Sequence, residues 1–310
     1  MVRTWYVGGR GSAWRGSALA LACCLLVGAC SVRKFAVRQV GNALSSGTST
    51  FETDPDPDLV GEALPFSLKM VESLLAITPR HRGLLVTAAK GFSLYAMAYV
   101  DMPGQMLESE DFLRSKQLRE RAARLYLRGL AYGLRALEEA YPGIGGELRG
   151  EPRLAVARVR SRHVDLLYWT AAALGLAIST SPTDASLVVR LSEVEAMLER
   201  AMDLDEAWDR GALHEFRLRL EAAKPGGGDA GVMERSFERA LALSGGQRAG
   251  LFVAYAEARA VPAQEREMFE AMLDRAMAVD VDAREEDRLL NVLAQRRAEW
   301  LRSRLDDLFF

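Results

Sequence analysis

Met197-Leu-Glu-Arg-Ala-Met-Asp-Leu204, Ser236-Phe-Glu-Arg-Ala-Leu-Ala-Leu243 and Met272-Leu-Asp-Arg-Ala-Met-Ala-Val279 are three versions of one pattern. Each has a large apolar residue, an acid, Arg, Ala and then apolar positions at helical spacing. The alanines, Ala201, Ala240 and Ala276, lie 39 and 36 residues apart, close to the period of about 34 residues of a tetratricopeptide array. A small Ala lets the second helix of a pair lie close to its neighbour, while the large flanking residues fill the groove. One pair buries only part of its apolar face, so pairs must stack. An earlier Leu134-Arg-Ala-Leu137 falls about two periods upstream. The expected fold is all-α: a tetratricopeptide-like α-solenoid, or superhelix, of antiparallel helix pairs.

The rest of the chain agrees with helix. Ala, Leu, Arg and Glu dominate, and no run reads as a strand. Asp54-Pro-Asp-Pro-Asp58 is a helix entry rather than a cation loop, with Asp56 as cap and Pro57 in the first turn. The periodicity predicts helices over about 59–77 (bent or interrupted at Pro65), 82–100, 110–140, 153–179, 184–202, 206–223, 230–243, 248–259, 263–278 and 284–308. Met102-Pro103-Gly104 should stop the second of these, and a Gly-rich loop should cross from Pro142 to Pro152. Val164–Ile178 is apolar almost all round and reads as a buried helix.

The N-terminus says where the protein resides. Arg3, Arg10 and Arg15 precede Gly16-Ser-Ala-Leu-Ala-Leu-Ala-Cys-Cys-Leu-Leu-Val-Gly-Ala-Cys30, the order of a secretory signal ending in a lipobox. The apolar run from Ala18 to Val27 falls short of the roughly 20 residues of a membrane-spanning helix. The reading is a bacterial lipoprotein cut before Cys30, lipidated there, and held on the periplasmic face of a membrane. No Asp follows Cys30, which favours the outer membrane. The expected divisions are residues 1–29 as signal peptide, 30–56 as lipidated terminus and linker, and 57–310 as helical-repeat domain. Val32, Phe35, Ala36, Val40 and Leu44 mark a short amphipathic helix after the lipid.

Composition excludes several classes of function. Cys23 and Cys24 lie in the signal, so the processed chain has neither an internal disulfide nor a thiolate metal site. Loss of the three signal arginines takes the net charge from −2 to −5, which gives no electrostatic case for nucleic acid. His81, His163 and His214 form no metal-ligand spacing, and Pro225-Gly-Gly-Gly228 lacks the Lys-Ser/Thr of a phosphate loop. No catalytic residues, metal or cofactor are expected. Tyr95, Tyr99, Tyr168 and Trp169 occur in helices otherwise rich in Ala. Core packing explains them; so does the edge of an internal cavity, with His214 as a further lining residue.

Several segments, in order, resemble the T component associated with TRAP transporters: Glu62-Ala-Leu-Pro-Phe-Ser-Leu-Lys69, Gly83-Leu-Leu-Val-Thr-Ala-Ala-Lys-Gly-Phe-Ser-Leu-Tyr-Ala96, Tyr132-Gly-Leu-Arg-Ala-Leu137, Leu167-Tyr-Trp-Thr-Ala-Ala-Ala173, Gly211-Ala-Leu-His-Glu215 and Phe237-Glu-Arg-Ala-Leu-Ala-Leu-Ser-Gly-Gly246. The resemblance implies a non-enzymatic periplasmic lipoprotein of helical repeats, homotrimeric. It implies docking to the TRAP solute-binding protein (the P component) and a pore or cavity passing a small organic or apolar ligand. The alternative is a general scaffold lipoprotein that assembles cell-envelope complexes.

Overall fold

The computed structural model describes residue 1, residues 37–44 and residues 50–310. Cys30 and the signal lie outside the described residues. Every regular element among the described residues is helical. In order these are α1 (residues 37–44), α2 (Pro57–Ile77), α3 (Arg82–Ala96), α4 (Met102–Met106), α5 (Phe112–Ala140), α6 (Ile144–Gly150), α7 (Pro152–Ala157), α8 (Val164–Thr180), α9 (Ala185–Val188), α10 (Leu191–Leu204), α11 (Ala212–Ala222), α12 (Ala230–Ser244), α13 (Ala249–Tyr255), α14 (Arg266–Met277), α15 (Arg288–Ser303) and α16 (Leu305–Leu308).

Local chemistry sets many of the boundaries. The Asp56 carboxylate accepts from the backbone N–H of Asp58 and Leu59 at 3.0 and 3.1 Å, with Pro57 at the first helical position. His81 caps α3, its Nδ1 accepting from the Leu84 N–H at 3.2 Å. Gly245 and Gly246 follow α12 at φ 61° and 75°, a left-handed stop that glycine adopts without strain.

Five expectations are corrected. First, α2 passes Pro65 without interruption. The residue four earlier is Gly61, which packs under the Tyr99 ring. Second, Met102-Pro103-Gly104 does not stop the second helix. A π turn over Met97–Asp101 shifts the Met102 N–H onto Met97 O, and the chain stays helical to Met106. Proline lacks an N–H, and the widened turn removes the need for one there. A second π turn over Ala256–Ala260 likewise precedes Pro262. Third, the Gly-rich crossing contains a helix, α6.

Fourth, the helix expected over 153–179 breaks between α7 and α8. The Tyr141 hydroxyl accepts from the Arg160 N–H at 3.0 Å, and Arg200 donates to Val159 O at 2.8 Å. Distant side chains take the backbone groups that a continuous helix would have used. Fifth, the segments expected as single helices over 184–202 and 284–308 each divide, at Val189–Arg190 and at Arg304.

Helices alternate between two layers. The inner row is α3, α8, α11, α13 and α15; α5, α10, α12 and α14 sit outside it, each touching the inner helices before and after it in sequence, α10 and α11 only lightly. Ala201, Ala240 and Ala276 fall on the outer helices α10, α12 and α14 and are at most 2% exposed. At Ala240 the approach is close: a Cβ on Gly211 would lie 3.0 Å from its Cα. One large core runs from α2 to α11, and a second from α11 to the C-terminus. The 25-residue run Arg82–Met106 is apolar enough by length and composition to cross a membrane. Here it is packed among α2, α5 and α8, as a core helix is.

The row closes on itself, because α15 packs against α2. Val60, Ala98, Leu289 and Leu293 form a small apolar cluster at this seam. Around it the contacts are polar. Arg296 grips Asp58 at 2.7 and 3.1 Å, Arg288 donates to Thr53 O at 2.7 Å, and the Leu289 N–H donates to Glu52 O at 3.0 Å.

Candidate functional site

Six helices meet in cyclic order: α2, α3, α8, α11, α13, α15 and back to α2. A helix with its side chains is about 10 Å across and packed axes lie about 9 Å apart, so side chains fill most of the space among the six and their identity decides what it admits.

The α8–α11 side of the ring is aromatic. The Tyr168 ring lies 4.9 Å from Trp169, 4.6 Å from Trp208 and 5.9 Å from Phe216. All four keep partial accessibility. Burial pushes the Tyr168 phenol well above its ordinary range, so it is a neutral hydroxyl at any physiological pH. Lys90 of α3 stands 5.6 Å over the Trp169 ring and pairs with Glu52. Charged groups rim the aromatic wall: Arg219 pairs with Glu215 at 3.0 Å, and Arg248 with Asp209 at 2.8 Å.

A second site joins the two π turns. Asp101, on the first, is 5% exposed and accepts from the Tyr126 hydroxyl and from Gln105 Nε2, both at 3.2 Å. Burial raises its pKa, outweighing Arg119 at 3.9 Å. Arg297 of α15 donates to Gln105 Oε1 at 3.1 Å and to Glu257 Oε1, on the second π turn, at 2.6 Å.

Of the five residues expected to edge a cavity, the fold joins them in three separate places. Tyr168 and Trp169 share the aromatic wall. Tyr95 and Tyr99 stack at 5.8 Å near the first π turn. Tyr99 is pushed up to about 12 by burial, and its buried hydroxyl has no partner. The Tyr95 hydroxyl instead accepts from Arg121 at 3.4 Å, on the α5 side. His214 bonds Glu206 at 3.0 Å, and Arg239 holds the Glu206 pKa down at about 2. A shallow surface depression of about 300 Å³ lies elsewhere, lined by Glu151, Arg153, Leu154 and Glu195 among others.

Phe216, Lys90, Arg248 and Arg297 were not anticipated. Helical spacing marks Phe216 only as apolar, and the arginines are members of charge-rich faces that normally meet solvent.

A sequence profile of the TRAP transporter T-component family matches residues 53–309, nearly the whole described chain. The chain belongs to the TRAP transporter T-component family. An uncharacterized protein of Treponema pallidum (strain Nichols) is 32% identical, with 94% of this chain and 96% of that one covered. Membership makes this T component an accessory protein of a transporter and places it in the bacterial envelope. All six segments that suggested the resemblance fall inside the matched range.

Proposed function

We propose that this T component is a lipoprotein anchored at Cys30 on the periplasmic face of the outer membrane. Its body, a closed tetratricopeptide-like array, docks the TRAP solute-binding protein and passes a small organic or apolar ligand along the ring interior. It works as a homotrimer and without chemistry of its own. The observation that carries the ligand part is the wall of Tyr168, Trp169 and Phe216 on inner helices that close into a ring, with Trp208 in the turn leading into α11. Aromatic faces with a few charged groups at their edge suit an amphiphilic molecule. Family membership supports the partner.

The test is crosslinking and affinity capture of the tagged lipoprotein from native envelopes, with partners identified by mass spectrometry. A solute-binding protein recovered at near-equal stoichiometry is the expected result. Recovery of outer-membrane assembly proteins without it would sink the transport role and favour an envelope scaffold.

A further inference from the structure

Every inner helix after α2 starts beside an arginine: Arg82 at α3, Arg162 at α8, Arg210 at α11, Arg248 at α13 and Arg288 at α15. That placement is unfavourable, because a helix N-terminus already carries partial positive charge. At three of the five a carboxylate offsets it. Arg210 pairs with Asp287 at 2.6 Å, Arg248 with Asp209 at 2.8 Å, and Arg288 with Asp282 at 2.8 Å.

The other two are different. Arg82, Arg160 and Arg162 are all exposed, and no ion pair among the described residues engages them. All three face one imidazole, depressing the pKa of His163 after burial, and Arg82 pulls that of Asp165 down against its burial. The carboxylates nearby are occupied or turned in. Glu139 serves Arg80 at 2.7 Å and Glu147 serves Arg158 at 2.8 Å. Glu138 accepts from the backbone of Gly143 and Gly145 at 2.7 and 3.2 Å. Asp165 is half-buried, and burial raises its pKa.

This arc of positive charge sits where the chain comes from its N-terminus. Gly41 of α1 rests on the start of α3; a Cβ there would lie 2.9 Å from His81 Nε2 and 3.0 Å from Leu84 Cδ1. Val40 and Leu44 of α1 are 49% and 44% exposed, with Arg38 exposed beside them. Only six residues lie between Cys30 and residue 37, a reach of at most about 25 Å.

We propose that the rim formed by Arg82, Arg160 and Arg162, with α1 beside it, lies on the bilayer leaflet that holds the anchor and binds anionic phospholipid headgroups there. The inference rests on the lipoprotein reading. The acyl chains supply the first signal and the basic arc a second, and together they orient the ring axis relative to the membrane. The charge at two helix starts, which no carboxylate engages in an ion pair, is matched by the lipid phosphate.

The experiment uses the processed chain carrying Cys30→Ser, so that no acyl chain contributes. It is sedimented with vesicles of phosphatidylglycerol and phosphatidylethanolamine, or of phosphatidylcholine alone. Binding to the anionic vesicles, weakening as salt rises, is expected. R82Q/R160Q/R162Q should lower it about a hundredfold, since each basic residue near an anionic surface contributes a factor of about five. R82K/R160K/R162K should retain it, and R114Q/K116Q/R124Q, on α5, should leave it unchanged. Equal binding to both vesicles, or equal loss in the α5 variant, overturns the proposal. Labelling of the natural protein with a fatty-acid probe reads the anchor separately: no label at Cys30, with vesicle binding intact, removes the anchor reading and leaves the headgroup site.

Discussion

Arg297 donates to Gln105 Oε1 at 3.1 Å, across 192 residues of chain, and in the same pose holds Glu257. One guanidinium thus ties α15 to α4, just past the turn that follows α3, and to the turn that follows α13. Each of those turns is a π turn before a proline, and the two prolines, Pro103 and Pro262, lie 159 residues apart. The side chain of Arg297 is only 13% exposed, so the contact is made largely out of water.

Removing Arg297 leaves Glu257 and Gln105 without their donor. Arg297→Met should cost about 3 kcal/mol in urea unfolding. Adding Glu257→Leu should recover part of this, because an apolar pair avoids the stranded carboxylate. A loss below about 0.5 kcal/mol, the range of a solvated surface pair, would show that the seam does not depend on it.

Gly211 sits at φ 98° with Ala240 against its α-carbon. Gly211→Ala meets both a left-handed backbone and a close neighbour. The expected cost is about 2 kcal/mol, or roughly 6 °C in Tm. Gly146, inside α6 with nothing within 4 Å of its Cβ position, is the matched control. Gly146→Ala should leave Tm unchanged or raise it. Equal effects at both positions would remove close packing as the reason for the small residues.

The Tyr141 hydroxyl accepts from the Arg160 N–H, and it donates to His163 Nδ1 at 2.7 Å. Nδ1 is then the acceptor nitrogen, a tautomer assigned from the hydrogen bonds, and the ring is neutral. Burial, followed by Arg82, Arg162 and Arg160, lowers the His163 pKa below 6.5. Burial lowers that of His214 as well. A base with a depressed folded pKa contributes stability that is complete above 6.5 and is lost as pH falls below it, where the unfolded chain binds more protons. The urea midpoint should therefore drop from pH 7 to 5, and His163→Gln should flatten the drop. An NMR titration placing His163 above 6.5 would contradict the arrangement.

Tyr141→Phe tests the same contact without charge. It removes one acceptor and one donor, at about 1–2 kcal/mol. Amide exchange at Arg160 should accelerate more than exchange in α8. Unchanged exchange would mean the break between α7 and α8 is held by Arg200 alone.

Within the proposed function, Trp169→Leu should reduce small-molecule ligand co-purifying with the protein, while leaving capture of the protein partner intact. The reason is that Trp169 faces Lys90 on the inner row, away from the outer layer. Loss of both together would assign Trp169 to the fold.

The amino-acid sequence alone determined the helices and much of their punctuation. Asp56 and Pro57, His81, and Gly245 are effects of one or two neighbouring residues, and the period of Ala201, Ala240 and Ala276 follows from helix packing at short range. Sequence also identified the family, through segments spread along the whole chain. Tertiary structure decided the rest. The break before α8 depends on Tyr141 and Arg200, the helix carried through Pro103 depends on a π turn, and the closure depends on Arg296 and Arg297 reaching residues about 190 to 240 positions away. Helical periodicity reports which residues share a face of one helix. It carries no information on which distant face will meet it, so neither the ring nor the bond of His214 to Glu206 was legible before the helices were packed.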